Sequence, residues 1–514
     1  MTTRLVLLST MLSSLLALAG CSGSMGATPG GAQDNGLADT QIQQGLVPRP
    51  EDFTVAGLLG EYDLPLADTA CDKALCIQAA YGVAPILYQN KGAVFVQMGF
   101  SSGIDEATFT RSPLNLAVVV DRSGSMAGDK LAAVKLALNQ LVDNLNADDR
   151  LALVLFDDRV DVIRPSAPVT DPLAIKTTIA GIAVRGATDM AAGLQAGISQ
   201  VQTNAGLVSD RVMLFTDADA NTGATDKAAF VGLATAAANQ RIGLTLFGVG
   251  IDLNQDLVLA ITQLRGGSYY FLSDADAIGT IFDSDFDFMV TPLAYDMVFR
   301  LDPSPGFAVT AVYGYPWQAG TGSVAISVPT VFLSRKHGAI VVRLDPSPAT
   351  WPAGQPPLAE LSLAYSAADS GESVQESFVA SYTGTDLLSD SVVFYSQSAV
   401  RKTVDLVNTA LSEAEASRLY YAYSTNEAVV LLVRTEDMLR AEGLYLADAD
   451  LSNLADQVQS LETNMNSGAS RNSTTSTPNG QYPAACSIAH SSRPAPMFLL
   501  GLIAFLLRVR RRTP

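Results

Sequence analysis

Asp121, Ser123 and Ser125 follow a D-x-S-x-S spacing directly after the apolar run Leu114-Asn115-Leu116-Ala117-Val118-Val119-Val120. Such a run reads as a buried strand, and open α/β sheets bind ligands beyond the carboxyl ends of their strands. A carboxylate and two hydroxyls, with no His or Cys, suit a hard divalent ion such as Mg²⁺, which prefers oxygen ligands and keeps waters. Two further stretches offer the same chemistry. Gly186-Ala187-Thr188-Asp189 opens an amphipathic helical run, and Val212-Met213-Leu214-Phe215-Thr216-Asp217 is another apolar strand ending in a carboxylate. The plainer alternative is that Ser123 and Ser125 cap the following helix, since hydroxyls favour helix starts. Capping alone gives no reason for Thr188 and Asp217 to stand at matching positions.

Taken together, these three stretches resemble the von Willebrand factor A family, whose metal-ion-dependent adhesion site combines an Asp-x-Ser-x-Ser loop, a Thr from a second loop and an Asp from a third. The resemblance covers Pro113 to about Val290. It implies that Ser123, Ser125 and Thr188 touch the metal, while Asp121 and Asp217 hold its waters or bind it directly. The ion would be Mg²⁺, or Mn²⁺ or Ca²⁺, with an open position for a Glu or Asp from a protein partner. One departure is Ala218, where the family often has Gly.

The surrounding pattern is expected to fold as α/β, a doubly wound, mainly parallel sheet. Leu131, Val134, Leu138, Leu141, Val142 and Leu145 recur at helical spacing. Arg150 to Phe156, Val212 to Phe215 and Leu244 to Val249 read as strands; Asp171 to Ile182, Asp189 to Gln202 and Asp226 to Asn239 read as helices. Alternating strands and helices imply right-handed crossovers. Asp157, Asp158, Asp219 and Asp252 also follow strand ends, as rim residues or as solvated loop carboxylates and caps.

A chain of 514 residues with 48% hydrophobic content supports several domains. Its formal charge of −19 argues against nucleic acid as a partner, because the excess of negative charge repels phosphates. The expected organisation is a signal peptide over 1–20, a flexible tether over 21–50 and a β-rich segment over 51–112. The α/β domain at 113–290 is followed by a β-sandwich over 291–395, a helical segment over 396–465, a linker over 466–485 and a tail over 486–514. Met297 to Leu301, Phe307 to Tyr313, Ser323 to Val328, Ile340 to Leu344, Ala359 to Tyr365, Glu376 to Tyr382 and Ser391 to Tyr395 read as the sandwich strands. The upstream β segment could pair into that sandwich, which would make the α/β domain an insertion. Asp296 to Pro316 resembles the region after the A domain in YfbK-like and inter-alpha-trypsin-inhibitor-heavy-chain-like proteins.

Arg4, the apolar core Leu5 to Leu18 and the box Leu18-Ala19-Gly20-Cys21 resemble a bacterial lipoprotein signal, which implies lipidation of Cys21. Ser22 in place of an inner-membrane retention Asp favours the outer membrane or cell surface. Outside the cytoplasm Cys71 and Cys76 could close a disulfide loop, or both could remain buried thiols. The tail joins Cys486, the apolar stretch Met497 to Leu507 and an Arg cluster, and it resembles the Cys-containing MYXO-CTERM sorting tails. Its eleven apolar residues give about 16 Å of helix, short of the roughly 30 Å hydrocarbon core, so the alternative is a marginal anchor.

The expected function is a cell-envelope lipoprotein that binds a protein partner through its metal site and is not an enzyme. An envelope scaffold without metal-dependent binding is the alternative. A serine hydrolase, suggested by Gly99-Phe100-Ser101-Ser102-Gly103, is more remote, because a nucleophile elbow needs a strand, a helix and a partner His.

Overall fold

The computed structural model of the chain describes residues 25–66, 71–203, 209–217, 227–250, 260, 264–273, 275–315, 317 and 322–470. Its first element corrects the tether expected over 21–50. Strand β1 (Met25–Pro29) lies inside a large antiparallel sheet, and helices α1 (Gly36–Gln43) and α2 (Val55–Glu61) follow it. Met25 and Ala27 are buried, alternating into a core as strand residues must. The small residues that resemble a tether serve close packing instead: a Cβ on Gly26 would lie 2.1 Å from the Lys336 carbonyl oxygen.

Strands β2 (Cys76–Ile86) and β3 (Lys91–Ser102) form a long antiparallel hairpin. The Cys71–Cys76 disulfide closes the loop before it, with the Cα atoms 5.7 Å apart. The chain then enters an α/β unit. In order, this contains β4 (Leu114–Asp121), α3 (Asp129–Asp143), β5 (Arg150–Phe156), β6 (Val160–Pro168), α4 (Pro172–Ala180), α5 (Met190–Gln202), β7 (Ser209–Thr216), α6 (Lys227–Asn239), β8 (Gly243–Val249) and β9 (Gly267–Leu272). The sheet order is β6-β5-β4-β7-β8-β9, parallel except for β6. Apolar strand residues pack on α3 and α4 on one face and on α5 and α6 on the other, giving the doubly wound architecture. Two short helical turns around a π-helical segment at Thr280–Ser284 lead out of the unit.

Seven strands follow: β10 (Pro292–Pro303), β11 (Phe307–Tyr313), β12 (Val324–Ser334), β13 (Ala339–Pro346), β14 (Pro357–Ala367), β15 (Ser373–Ser381) and the two-residue β16 (Phe394–Tyr395). They correspond to the seven segments read from the sequence, but they do not make a sandwich by themselves. Strands β1, β2 and β3 join them in one ten-stranded antiparallel sheet, so the α/β unit is inserted between β3 and β10. β1 bridges β12 and β3, and its two wings share one core that includes Val94, Val96 and Met98 from one side and Phe299, Leu301 and Leu363 from the other. Strand periodicity makes β3 two-sided: Ala93 and Phe95 point the opposite way, against helices α7 (Ala399–Tyr421), α8 (Thr425–Leu446) and α9 (Ala449–Asn466). No helix of the described residues is long and apolar enough to cross a membrane.

The segment after β1 also straps the α/β unit to the rest of the chain. Ala32 forms a parallel bridge with Tyr269, the Phe271 N–H donates to Asp34 Oδ2 at 3.0 Å, and Leu37 packs in the core beside Phe271. Asp34, Asp39 and Glu61 crowd this junction, with Lys336, Gln457, Glu413 and Tyr62 facing them from the other elements. Burial pushes the Asp34 carboxyl up to about 6 and Asp39 up to about 7, the latter helped by the Asp34 charge. A carboxyl whose folded value exceeds its unfolded value of 3.8 binds its proton more tightly when folded. Its stabilisation is therefore complete below about pH 4 and lost as pH rises through 6 to 7. We expect a melting temperature several degrees lower at pH 8 than at pH 5, and an Asp34→Asn, Asp39→Asn variant that flattens this slope. A calorimetric pH series with an unchanged slope in the variant would refute the assignment.

Candidate metal centre

Asp121 is the last residue of β4, and its neighbour β7 ends one residue before Asp217, so parallel register brings both carboxylates to the same sheet edge. Both are buried, as are Ser123 and Thr188, whereas Ser125 is exposed. The Ser123 N–H donates to Asp121 Oδ1 at 2.8 Å, and the Thr216 hydroxyl donates to Asp121 Oδ2 at 2.7 Å. The Ser123 and Ser125 hydroxyls are 3.0 Å apart. Thr188 is brought in by its loop: the Gly124 N–H donates to the Gly186 carbonyl at 3.1 Å, and the Arg185 N–H to the Arg122 carbonyl at 2.7 Å. Gly186 has φ +67°, a left-handed conformation that glycine adopts without the strain a side chain brings.

The capping alternative finds no support in this geometry. Ser123 makes no side-chain cap bond, and α3 starts after Gly128, beyond both serines. Asp189 does cap α5, accepting from the Ala192 N–H at 3.1 Å.

An ion network ties the two loops together below the rim. Buried Asp157 accepts from Arg122 Nε at 2.8 Å and from Arg185 Nε at 2.7 Å, and Asp161 pairs with both arginines. Burial opposes the Asp157 charge, but the Arg185 guanidinium, the Arg159 N–H and Arg122 hold its carboxyl down at about 2. Asp157 is thus a strut between the loops, and Asp158 lies exposed beside Arg159. Asp219, Asp252 and Ala218 lie outside the described residues, as do Cys21, Cys486, the expected signal peptide and the residues from 471 onward, which include the expected tail.

Asp121 is pushed up by burial, partly countered by the Ser123 and Thr216 hydrogen bonds and reinforced by the charge of Asp217. Asp217 Oδ2 accepts from Lys130 Nζ at 2.8 Å, while no hydrogen-bond donor among the described residues reaches its buried Oδ1. A buried carboxylate oxygen without a donor is costly unless something positive reaches it. Three hydroxyls and two carboxylates fit a hard divalent ion. Among the described residues no three His, Cys, Asp or Glu side chains form a metal-holding group, so any ion here would rely on hydroxyls. Sequence spacing alone did not single out Lys130, Arg122, Arg185 or Thr216. Thr216 had a visible signal, a hydroxyl directly before the strand-end carboxylate.

The elbow geometry of a hydrolase is absent from Gly99 to Gly103. Ser101 lies within β3, paired with Cys76, and His337 pairs with Asp63 at 2.7 Å.

The von Willebrand factor type A family model matches residues 115–284. This segment is a von Willebrand factor A domain. An uncharacterized protein of Synechocystis is 32% identical over 164 residues, covering 32% of this chain and 39% of that protein. Escherichia coli YfbK, also uncharacterized, is 23% identical over 276 residues, 52% of this chain and 47% of its own, a stretch longer than the A domain. Inter-alpha-trypsin inhibitor heavy chain H3 of Mesocricetus auratus is 30% identical over 176 residues, 32% of this chain and 20% of that one. The chain spans less than half the length of these relatives. A solved von Willebrand factor type A protein from Catenulispora acidiphila aligns over 75% of this chain and 91% of its own, with 16% identity and a TM-score of 0.49. A domains belong to a family of protein-interaction and adhesion modules.

Proposed function

We propose that this chain is an envelope lipoprotein whose A domain binds a protein partner through a divalent ion held by Asp121, Ser123, Ser125, Thr188 and Asp217. The observation that carries this reading is the buried Asp217 Oδ1, which no donor among the described residues reaches, at the same sheet edge as the paired Ser123 and Ser125 hydroxyls. The ion, Mg²⁺ or else Mn²⁺ or Ca²⁺, would supply an electrophilic position for a Glu or Asp of the partner. The protein's own groups do the rest. Asp121 orients Ser123, Gly186 lets the Thr188 loop close, and Asp157 holds both loops through Arg122 and Arg185. A pull-down from native envelope extract should retain the partner with Mg²⁺ and release it with chelator.

A second reading rests on Lys130: its ion pair with Asp217 would equally suit a site that holds its loops without metal, in an envelope scaffold. Chelator-insensitive retention of the partner favours that reading.

Attachment through lipid on Cys21, at the outer membrane or surface, is part of the proposal and rests on the Leu18-Ala19-Gly20-Cys21 box. Cys21→Ser should abolish fatty-acid labelling; equal labelling of the variant excludes it. Processing near Cys486 rests on the resemblance of the tail to sorting signals, and intact-mass measurement of native protein that recovers Arg508 to Pro514 would overturn it.

A further inference from the structure

Lys130 lies at the start of α3, and its ammonium reaches across to Asp217, the carboxylate that ends the third motif. The bond is 2.8 Å long, with the Lys130 side chain 23% exposed and Asp217 at 2%. The stem runs against backbone. Gly250, at the end of β8 with φ +83°, lies so close that a Cβ there would meet Lys130 Cε at 2.4 Å. Lys130 therefore has its stem against backbone and a charge aimed at one oxygen, while the other oxygen, Oδ1, has no donor among the described residues. A carboxylate arranged in this way already carries one counter-ion, and an incoming cation interacts with the pair instead of with a free anion.

We propose that Lys130 is a tethered counter-ion that sets how tightly the A-domain site binds a divalent ion. The inference rests on the metal-binding reading above and extends it to a positioning residue outside the metal motif. Two positive charges on an ion and one on Lys130 repel at short range in a partly buried site, where screening is weak. The ammonium thus lowers affinity for the ion. By neutralising Asp217, it also leaves a bound ion more of its positive charge for the partner's carboxylate.

Titration calorimetry of the purified full chain with MgCl₂ tests this directly. Lys130→Met keeps the stem and removes the charge, and should bind Mg²⁺ about tenfold tighter than the native protein. Lys130→Arg, which keeps the charge, should stay near the native value. A merely structural role for Lys130 would loosen the site when it is removed, so equal or weaker Mg²⁺ binding by Lys130→Met overturns the inference while leaving the metal site intact. If circular dichroism shows Lys130→Met to be unfolded, Lys130→Gln carries the same expectation and the same refutation. Native protein that binds none of Mg²⁺, Mn²⁺ and Ca²⁺ removes the metal-binding reading itself and this inference with it.

Discussion

Asp121→Asn is expected to lower Mg²⁺ affinity at least ~100-fold and abolish partner retention while the protein stays folded, since even outer partners of metal ligands are worth 10 to 100-fold. The substitution removes a negative charge at the end of β4 but keeps an amide oxygen to accept from the Ser123 N–H. The Thr216 hydroxyl, which now donates to Oδ2, can rotate and accept from the new amide. Alanine is the poorer choice, because it would leave the buried Ser123 N–H without the Asp121 acceptor. Calorimetric titration, with circular dichroism as the fold control, decides the matter. Native-like Mg²⁺ affinity in Asp121→Asn means that the assigned residues are not the ligands.

The largest stability effect is expected at Arg111, just before the A domain begins. Its guanidinium lies almost wholly inside, donating to both oxygens of Asp149 at 2.8 and 2.6 Å, to Asp287 at 2.5 Å and to the Asn144 carbonyl at 3.0 Å. Asp149 in turn accepts from the Leu114 and Asn146 N–H groups at 2.7 and 2.6 Å. The residue thereby joins the strand leading in, the α3–β5 loop and the helix leading out. Arg111→Met leaves Asp149 charged, buried and without its cation, a change that typically costs about 3 to 5 kcal/mol. Urea unfolding would measure it. A loss below ~1 kcal/mol would show that water or a neighbouring cation takes over the pairing.

Much of the candidate site's arrangement was legible because its parts are local. Asp121 to Ser125 sit within five residues, and the apolar runs before Asp121 and Asp217 mark two strand ends. The network of Arg122, Asp157, Arg185 and Asp161 was not legible, since it depends on three loops meeting in space. Strands β6 and β9 went unread for different reasons. β6 is an edge strand with Pro165 and Pro168 and no clean alternation, while β9 is a short Ser-Tyr-Tyr-Phe-Leu run directly after paired glycines. The tether failed most instructively. Gly26 and Gly30 have the composition of a linker, but close backbone contact also demands glycine, and composition cannot separate the two.

The insertion of the A domain between β3 and β10 has a mechanical side. Both covalent connections leave the domain at the end opposite the Asp121 and Asp217 loops, and the Ala32 to Leu37 strap adds a third attachment along β9. A module hung on one linker swivels under tension, whereas a body tied at three points does not. Tension exerted at Asp121 runs down β4 in shear against β5 and β7, whose paired backbones resist together and not one bond at a time. It then divides between the Arg111 clamp and the strap before reaching β1 in the middle of the ten-stranded sheet. Force applied at the carboxyl edge of β4 would therefore reach the protein's broadest sheet through paired strands and the Arg111 clamp.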